Sequence, residues 1–366
     1  MTEPGLRHSP LEKVHRDLGA KLGAFGGWLM PIEYEGTLSE HRAVRERVGL
    51  FDLSHLGMVD VVGAGAFAAL QGLLTNDLRK VPVGRAQYHH LLNERGGVQE
   101  DLFLYRLAEE RWFAVPNASN KNLVVEAFRE AAGPHAVVDH DDWCFLGVQG
   151  PASLDVLSAL WPDAGSLGFR GCAVVGRQGR DVVLARTGYT GERGYELFAE
   201  AGLAAELWGA ITEAGSSLGL RPCGLGARDV LRMEMGYPLY GQDLGPERTS
   251  LEAGLGWAVS FDKGDFRGRD ALVRLRESGL PSRLLGLVTA DRRHIPRSHH
   301  AVVAGGAAVG EVTSGTYSPT LGAGIALAYL SPPERFEPGA QVDIDIRGRR
   351  APARVASTPF VDRSPR

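Results

Sequence analysis

Two adjacent acids follow a glycine pair in residues 93–102, which read Asn93-Glu94-Arg95-Gly96-Gly97-Val98-Gln99-Glu100-Asp101-Leu102. Gly96-Gly97 is typical of a hairpin turn, and Glu100-Asp101 opens an apolar run that continues to Tyr105. Neighbouring residues of a strand face opposite sides, so only one of the two acids can point into a given pocket. These residues alone leave a pocket acid and a solvated loop edge equally open.

The surrounding patterns mix strands with helices. Trp112-Phe113-Ala114-Val115 predicts a second hairpin with the run after Asp101, and residues 67–74 and 203–218 predict helices. Ser9-Pro10-Leu11-Glu12 predicts a helix start with Ser9 as its cap. We therefore expect an α+β body over residues 1–280.

The last part of the chain has a different pattern. From Arg283 onward, short apolar runs recur between Gly and Pro residues, which predicts an all-β module, either a small barrel or a sandwich. Ser278-Gly279-Leu280-Pro281-Ser282 reads as a linker before it. The predicted boundaries are therefore 1–280 for the body and 283–366 for the β domain.

Composition limits the function classes. The 366 residues carry a formal net charge of −4 and no long basic run, so we expect no nucleic-acid partner. The three cysteines are widely spaced, without a disulfide or metal pattern. We find neither a signal peptide nor a run near the roughly 20 apolar residues of a membrane span. We therefore expect a cytoplasmic protein without membrane association.

A glycine motif keeps a nucleotide-dependent oxidoreductase open as an alternative. Gly63-Ala64-Gly65-Ala66-Phe67-Ala68 matches the dinucleotide fingerprint between a predicted strand and a predicted helix. That fingerprint also requires a second strand ending in an acid about 20 residues later, whereas residues 75–82 resemble a polar loop. We expect a tight strand–helix turn here, and neither NAD nor FAD.

Serine and histidine motifs have plainer interpretations than catalysis or metal binding. Phe51-Asp52-Leu53-Ser54-His55 suggests a nucleophile, but triad members converge from separate segments, so we expect Ser54 and His55 to make turn hydrogen bonds. His89-His90 suggests a metal site, but adjacent side chains point apart and no partner motif supports one. We expect solvated surface at this pair and no metal.

Taken in order, the motifs resemble the T-protein family of the glycine cleavage system, which are aminomethyltransferases. The resemblance covers nearly the whole chain, and the segments that carry it are Phe25-Gly26-Gly27-Trp28-Leu29-Met30-Pro31, Gly49-Leu50-Phe51-Asp52-Leu53-Ser54-His55, Thr75-Asn76-Asp77, Gly96-Gly97, Asp101-Leu102, Gln149-Gly150-Pro151, Thr187-Gly188-Tyr189-Thr190-Gly191-Glu192, Gly224-Leu225-Gly226-Ala227-Arg228-Asp229, Leu239-Tyr240-Gly241-Gln242-Asp243 and Thr313-Ser314-Gly315-Thr316-Tyr317-Ser318-Pro319-Thr320-Leu321-Gly322.

The resemblance implies a reaction, a partner and a fold. The family passes the methylene of an aminomethyl group, carried on the lipoyl arm of the H-protein, to tetrahydrofolate. The products are 5,10-methylenetetrahydrofolate, ammonia and the reduced lipoyl arm. The implied fold is a three-domain cloverleaf around a folate channel, so the α+β body would hold two of the domains.

The resemblance also implies site residues. Asp101 matches the catalytic aspartate by motif position, with Glu100 as a neighbour on the other strand face. Glu196 would accept N–H bonds from the pterin edge, and Arg228 would bind the glutamate tail or hold Glu196. Arg228 lies early in a predicted helix, where the helix dipole disfavours a cation. The other residues expected to bind folate are Tyr88, Tyr105, Asn117, Tyr189 and, at the channel mouth, Arg363.

The chain departs from the family pattern in a few places. Glu100-Asp101 stands where the family commonly has two aspartates, and Ser250 stands where a proline is frequent. A folate-dependent amine demethylase stays open, although its relatives usually carry a flavin domain. A non-enzymatic folate protein of iron–sulfur assembly also stays open, but residues 235–242 lack the Lys and Cys of that group's motif.

Overall fold

The computed structural model describes residues 5–365 and begins with a three-stranded sheet of order β1-β3-β2. The elements of this segment are β1 (Arg7–His8), α1 (Glu12–Asp17), β2 (Lys21–Phe25), β3 (Trp28–Glu33) and α2 (Thr37–Glu46). The predicted helix start is wrong, because α1 begins only at Glu12. Ser9 does not cap it: the Ser9 hydroxyl accepts the N–H of Leu11 and donates to Asp52.

A five-stranded antiparallel sheet of order β6-β7-β8-β5-β9 carries the acidic segment. The stretch of chain from Gly49 to Asp139 forms β4 (Gly49–Asp52), β5 (Val59–Val62), α3 (Ala66–Leu73), β6 (Arg85–Leu92), β7 (Val98–Ala108), β8 (Arg111–Val115), α4 (Lys121–Ala132) and β9 (Val137–Asp139). Of these strands, β4 belongs to the second sheet of the body. Both predicted hairpins are confirmed, since β6 pairs with β7 around Gly96 and β7 pairs with β8.

The glycine motif forms the expected tight turn between β5 and α3. Gly63 has a φ of +99°, a conformation that L side chains rarely adopt. β5 runs antiparallel to both of its neighbours, β8 and β9. A dinucleotide-binding unit instead has parallel strands joined through the helix, so this topology does not match the fingerprint.

A six-stranded sheet of order β11-β12-β13-β10-β4-β14 forms the other half of the body. The elements after β9 are β10 (Trp143–Gln149), α5 (Ser153–Ser158), β11 (Cys172–Arg177), β12 (Arg180–Ala185), β13 (Gly194–Glu200), α6 (Ala204–Gly215), β14 (Arg221–Cys223) and α7 (Leu225–Glu234). β4 pairs antiparallel with β10 and parallel with β14, which directs the chain into α7.

The predicted β domain is a closed six-stranded barrel. Its strand order is β15-β18-β17-β16-β19-β20, and the β15–β20 pairing closes it. The elements are α8 (Arg269–Ser278), β15 (Arg283–Thr289), β16 (Ala301–Ala304), β17 (Ala307–Ser318), β18 (Ala323–Leu330), β19 (Gln341–Ile346) and β20 (Arg349–Ala356). The barrel has its own apolar core, which includes Leu287, Val312 and Ile344. The division at residues 280 and 283 stays a prediction.

A buried polar network fastens the barrel to α7. Glu234, at the end of the helix, accepts a 2.6 Å hydrogen bond from the Ser318 hydroxyl of β17. Arg232 donates to Ser314 of β17 at 3.0 Å and pairs with Asp243 at 2.8 Å. Because α7 also carries Arg228, the barrel helps to fix the helix that lines the candidate site.

Candidate functional site

A cavity of about 340 Å³ lies where β2, β6, β7, β13 and α7 meet, a volume within the range of small-molecule sites. All of its lining residues come from the part of the chain before residue 243. The side chains that line it include Phe25, Ile32, His55, Leu56, Tyr88, Asp101, Phe103, Tyr105, Val115, Asn117, Phe145, Tyr189, Glu196, Leu225, Arg228, Asp229, Arg232, Tyr240 and Gln242. Aromatic and aliphatic walls therefore surround a few carboxylates and guanidinium groups.

Asp101 lies in the cavity wall on β7, with both carboxylate oxygens engaged. The Tyr88 hydroxyl donates to Oδ2 at 2.7 Å, and Nδ2 of Asn117 donates to Oδ1 at 3.0 Å. Burial raises the pKa of Asp101 to about 6, although both hydrogen bonds favour the ionised form. The carboxylate is thus held in one orientation, with a proton affinity above that of an exposed aspartate.

Glu100 supports the site from outside the cavity lining. It is fully buried and accepts bonds from the backbone N–H of Asn117 at 2.6 Å and from Nδ2 of Asn120 at 2.5 Å. Nδ2 of Asn117 also reaches Oε1 of Glu100 at 2.8 Å. Burial, then the charge of Asp101, raise the pKa of Glu100. Glu100 therefore anchors the amide that contacts Asp101, a role that its expected position on the other strand face did not reveal.

Glu196 is a second carboxylate of the cavity, on β13. Its Oε2 accepts from the Tyr105 hydroxyl at 3.2 Å and from the hydroxyl of Thr187. Burial raises the pKa of Glu196, and the positive charge of Arg228 opposes that rise. The guanidinium of Arg228 lies 4.7 Å from the centre of the Tyr189 ring, and burial lowers its pKa.

Seven of the eight predicted site residues line this cavity; Arg363 is the exception. The seven are Tyr88, Asp101, Tyr105, Asn117, Tyr189, Glu196 and Arg228. The Tyr189 ring is fixed by a hydrogen bond from its hydroxyl to the carbonyl of Pro238. Arg363 lies elsewhere, with its Nε 3.6 Å from Oε1 of Glu192.

The predictions for the serine and histidine motifs are only partly confirmed. Ser54 makes the expected turn bonds, since its N–H and hydroxyl both donate to Oδ1 of Asp52. His55 makes no such bond and lines the cavity instead. The expectation of solvated surface at His89-His90 is wrong: both side chains are fully buried, and Nδ1 of His90 lies 2.7 Å from the Ser250 hydroxyl.

Two further residues were not predicted: Arg232, which lines the cavity, and Trp257, which packs on the lining residue Tyr88 from outside. Arg232 follows Arg228 by four residues, and helical spacing places such residues on one face, so that signal was present. Trp257 stacks on Tyr88, with ring centroids 5.5 Å apart, yet remains 56% exposed. No local pattern distinguishes that tryptophan from others, because its partner lies far away in sequence.

Within residues 5–365, no three His, Cys, Asp or Glu side chains are grouped so that they could hold a metal ion. Over the same residues, no helix is both long enough and apolar enough to cross a membrane.

Comparisons with known proteins agree with the fold. Residues 11–263 match the GCVT N-terminal domain, and residues 283–362 match the glycine cleavage T-protein C-terminal barrel domain. The chain is 48% identical to an aminomethyltransferase of Frankia alni, with 99% of each chain covered. It is 46% identical to an aminomethyltransferase of Mycobacterium avium, with 98% of each covered.

A solved structure gives the same result. The glycine cleavage system aminomethyltransferase T from Bartonella henselae superposes with a TM-score of 0.90 and is 34% identical. The match covers 98% of this chain and 99% of that one, so it includes both the body and the barrel. The chain therefore belongs to the aminomethyltransferase family of glycine cleavage T-proteins.

Proposed function

We propose that this chain transfers the methylene of an aminomethyl group, carried on the lipoyl arm of the H-protein, to tetrahydrofolate in the cavity described above. The observation that carries the proposal is Asp101, held by Tyr88 and Asn117 in the wall of an aromatic cavity. Relatives named aminomethyltransferase that cover nearly the whole chain favour this reaction over demethylation or iron–sulfur assembly.

The cavity lining suits a folate. A folate has a flat pterin, an aminobenzoyl ring and an acidic tail, so it requires aromatic walls, acceptors for ring N–H groups and a cation. Tyr88, Tyr105 and Tyr189 supply aromatic surface. Glu196 supplies acceptor oxygens for the N–H donors of the pterin edge, and Arg228 supplies the positive charge. Arg228 also influences Glu196 electrostatically, so both roles considered for it fit this arrangement.

The proposed reaction requires little acid–base catalysis from the protein. Ammonia leaves the lipoyl-bound methylene, N5 of the folate attacks that electron-poor carbon, and N10 closes the ring as the sulfur departs. Asp101 in its ionised form orients the substrate and stabilises positive charge that develops beside it. Its raised pKa also lets it take up a proton during the reaction. The contacts from Tyr88 and Asn117 hold the carboxylate in place before reaction, so little reorganisation is required.

A ligand-binding measurement tests the proposal. The thermal midpoint of the purified chain is recorded with 5-formyltetrahydrofolate, with NAD and with FAD. A ligand present at about 100 times its Kd adds roughly 2.7 kcal/mol to stability, so a true ligand raises the midpoint visibly. We expect stabilisation by the folate alone. Stabilisation by NAD or FAD without any by the folate would contradict the proposal. Once folate binding is established, release of ammonia from aminomethylated H-protein measures turnover.

A further inference from the structure

His55 is a cavity residue whose ring nitrogens make no hydrogen bond within the described part of the protein. Its side chain lines the cavity and the residue is 3% exposed. Among the described residues of the lining, it alone has a buried side-chain nitrogen, Nδ1, without a hydrogen-bond partner. Nδ1 itself is shielded, whereas Nε2 is not among the shielded atoms and also has no hydrogen-bond partner. Buried polar groups of folded proteins are nearly always paired, so an imidazole in a cavity wall without a partner on either nitrogen indicates that a ligand contacts it, through Nε2.

The turn that carries His55 is fixed by a buried carboxylate. Asp52 accepts from the N–H and hydroxyl of Ser54 at 2.9 and 2.6 Å, and its other oxygen lies 2.8 Å from Nε2 of His15. The His55 ring also meets the Phe25 ring edge-on, with centroids 5.3 Å apart. Since Asp52 is 1% exposed, these bonds are shielded from water and hold the backbone before His55 rigidly.

The imidazole of His55 is neutral at neutral pH. Burial, then the positive charge of Arg228, lower its pKa to about 3, while Asp52 acts in the opposite direction. A neutral imidazole has one donor and one acceptor nitrogen. It therefore suits an uncharged polar heterocycle better than the carboxylates of an acidic tail.

We propose that His55 is a substrate-binding residue, whose ring hydrogen-bonds an uncharged nitrogen or oxygen of the folate heterocycle, and that Asp52 positions it. This inference rests on the proposed function, because it takes a folate as the occupant of the cavity. It goes beyond that function by assigning a polar contact to a residue that the ordered motifs place only in a turn.

Three variants test the assignment in the full-length chain. His55→Leu removes both ring nitrogens at similar volume, and His55→Gln keeps a polar atom close to the place of Nε2. His135→Leu is the matched control, because His135 is exposed and outside the cavity lining. Each variant is measured by calorimetric titration with 5-formyltetrahydrofolate and by thermal unfolding without ligand.

Ligand affinity and stability are expected to move independently. His55→Leu weakens folate binding by about 3- to 10-fold, the worth of one neutral hydrogen bond, and raises KM for tetrahydrofolate with little change in kcat. Its midpoint without ligand stays equal to wild type or rises, because an unsatisfied buried nitrogen has been removed. His55→Gln binds the folate more tightly than His55→Leu, and His135→Leu binds it like wild type.

Two results would overturn the assignment. Unchanged folate affinity in His55→Leu shows that the ring makes no ligand contact. A midpoint that falls in both His55 variants, with equal losses of affinity, shows that the ring serves only the fold. If the wild-type chain itself binds no folate, the proposed function fails. If the wild type binds folate and His55→Leu binds it equally well, only the assignment of His55 fails.

Discussion

The hydroxyl of Tyr88 donates a 2.7 Å hydrogen bond to Oδ2 of Asp101 across the β6–β7 ladder. The register pairs Asp101 directly with His90, so Tyr88 is its diagonal neighbour on the same face of the sheet. Asn117 occupies the other carboxylate oxygen. A carboxylate that receives two donors in a mostly apolar cavity is strongly oriented, and its ionisation depends on those donors.

The pH dependence of kcat/KM should report this carboxylate. Burial raises the pKa of Asp101 to about 6, and the ionised form is the one that orients the substrate. Activity therefore rises as the pH increases through about 6, well above the roughly 4 of an ordinary aspartate. Tyr88→Phe removes a donor to the charged form, so its acid limb moves up by about half to one pH unit.

The control for that shift is Tyr317→Phe, a tyrosine on barrel strand β17 outside the cavity lining. We expect its acid limb to coincide with that of the wild type. An unmoved or lowered acid limb in Tyr88→Phe would mean that Asp101 is not the group that titrates.

Glu196→Gln should weaken folate binding more than it slows turnover of the bound substrate. Hydrogen bonds to a charged partner are worth about 1.5–3 kcal/mol, which corresponds to an affinity roughly 10- to 100-fold lower. Calorimetric titration with 5-formyltetrahydrofolate measures the loss. Glu206→Gln, which alters an ion pair with Arg177 away from the cavity, serves as the control and should bind normally. Equal affinity in the two variants would remove Glu196 from the binding site.

Arg45→Met should destabilise the whole chain. Arg45, on α2, is 4% exposed and pairs with Glu192 at 2.9 Å and with Glu234 at 2.8 Å. Burial raises the pKa of Glu234. The hydrogen bond and charge of His41, with the charge of Arg45, outweigh that effect and lower the pKa to about 2. Removing one partner of such a buried pair costs about 3–5 kcal/mol, because the remaining charges lose their compensation.

Urea unfolding of Arg45→Met measures that cost. The matched control is Arg95→Met, which breaks an exposed pair with Glu247 and should cost less than about 1 kcal/mol. Similar losses in the two variants would show that the buried cluster contributes no more than a surface pair.

Local sequence patterns predicted the structure correctly where the turn is determined by residues close together in the chain. Gly96-Gly97 predicted its hairpin, and the spacing of apolar runs after Arg283 predicted the β module that closes as a barrel. The burial of His89-His90 could not be predicted in this way. The hydroxyl that meets His90 belongs to Ser250, 160 residues later, and no local rule reveals that such a segment covers β6.

The residues of the candidate site were likewise only partly predictable from local sequence. The ordered motifs selected Asp101 and Glu196, but the partners that orient Asp101 come from β6 and from the loop after β8. Glu100 was expected only as a neighbour on the other strand face, and its role in holding Asn117 required the packing of β7 against the loop after β8. His55 was missed because the sequence of a turn does not state which of its residues faces a cavity.

Methylene transfer should require the ionised carboxylate of Asp101, and the Asp101→Asn variant isolates that requirement. The amide keeps the shape of the side chain and cannot ionise. The raised pKa means that ionising Asp101 costs the folded protein stability above the unfolded pKa of about 3.9, so the amide should leave stability at pH 7.5 equal or higher.

The measurement is single-turnover ammonia release from aminomethylated H-protein with tetrahydrofolate, alongside folate binding and thermal unfolding of the same variant. We expect a normal or raised midpoint, retained folate binding and a rate lowered at least about 100-fold, the order of loss when one charge-stabilising group is removed. Near-normal turnover in a folded, folate-binding Asp101→Asn variant would show that the negative charge of Asp101 is not required for the transfer.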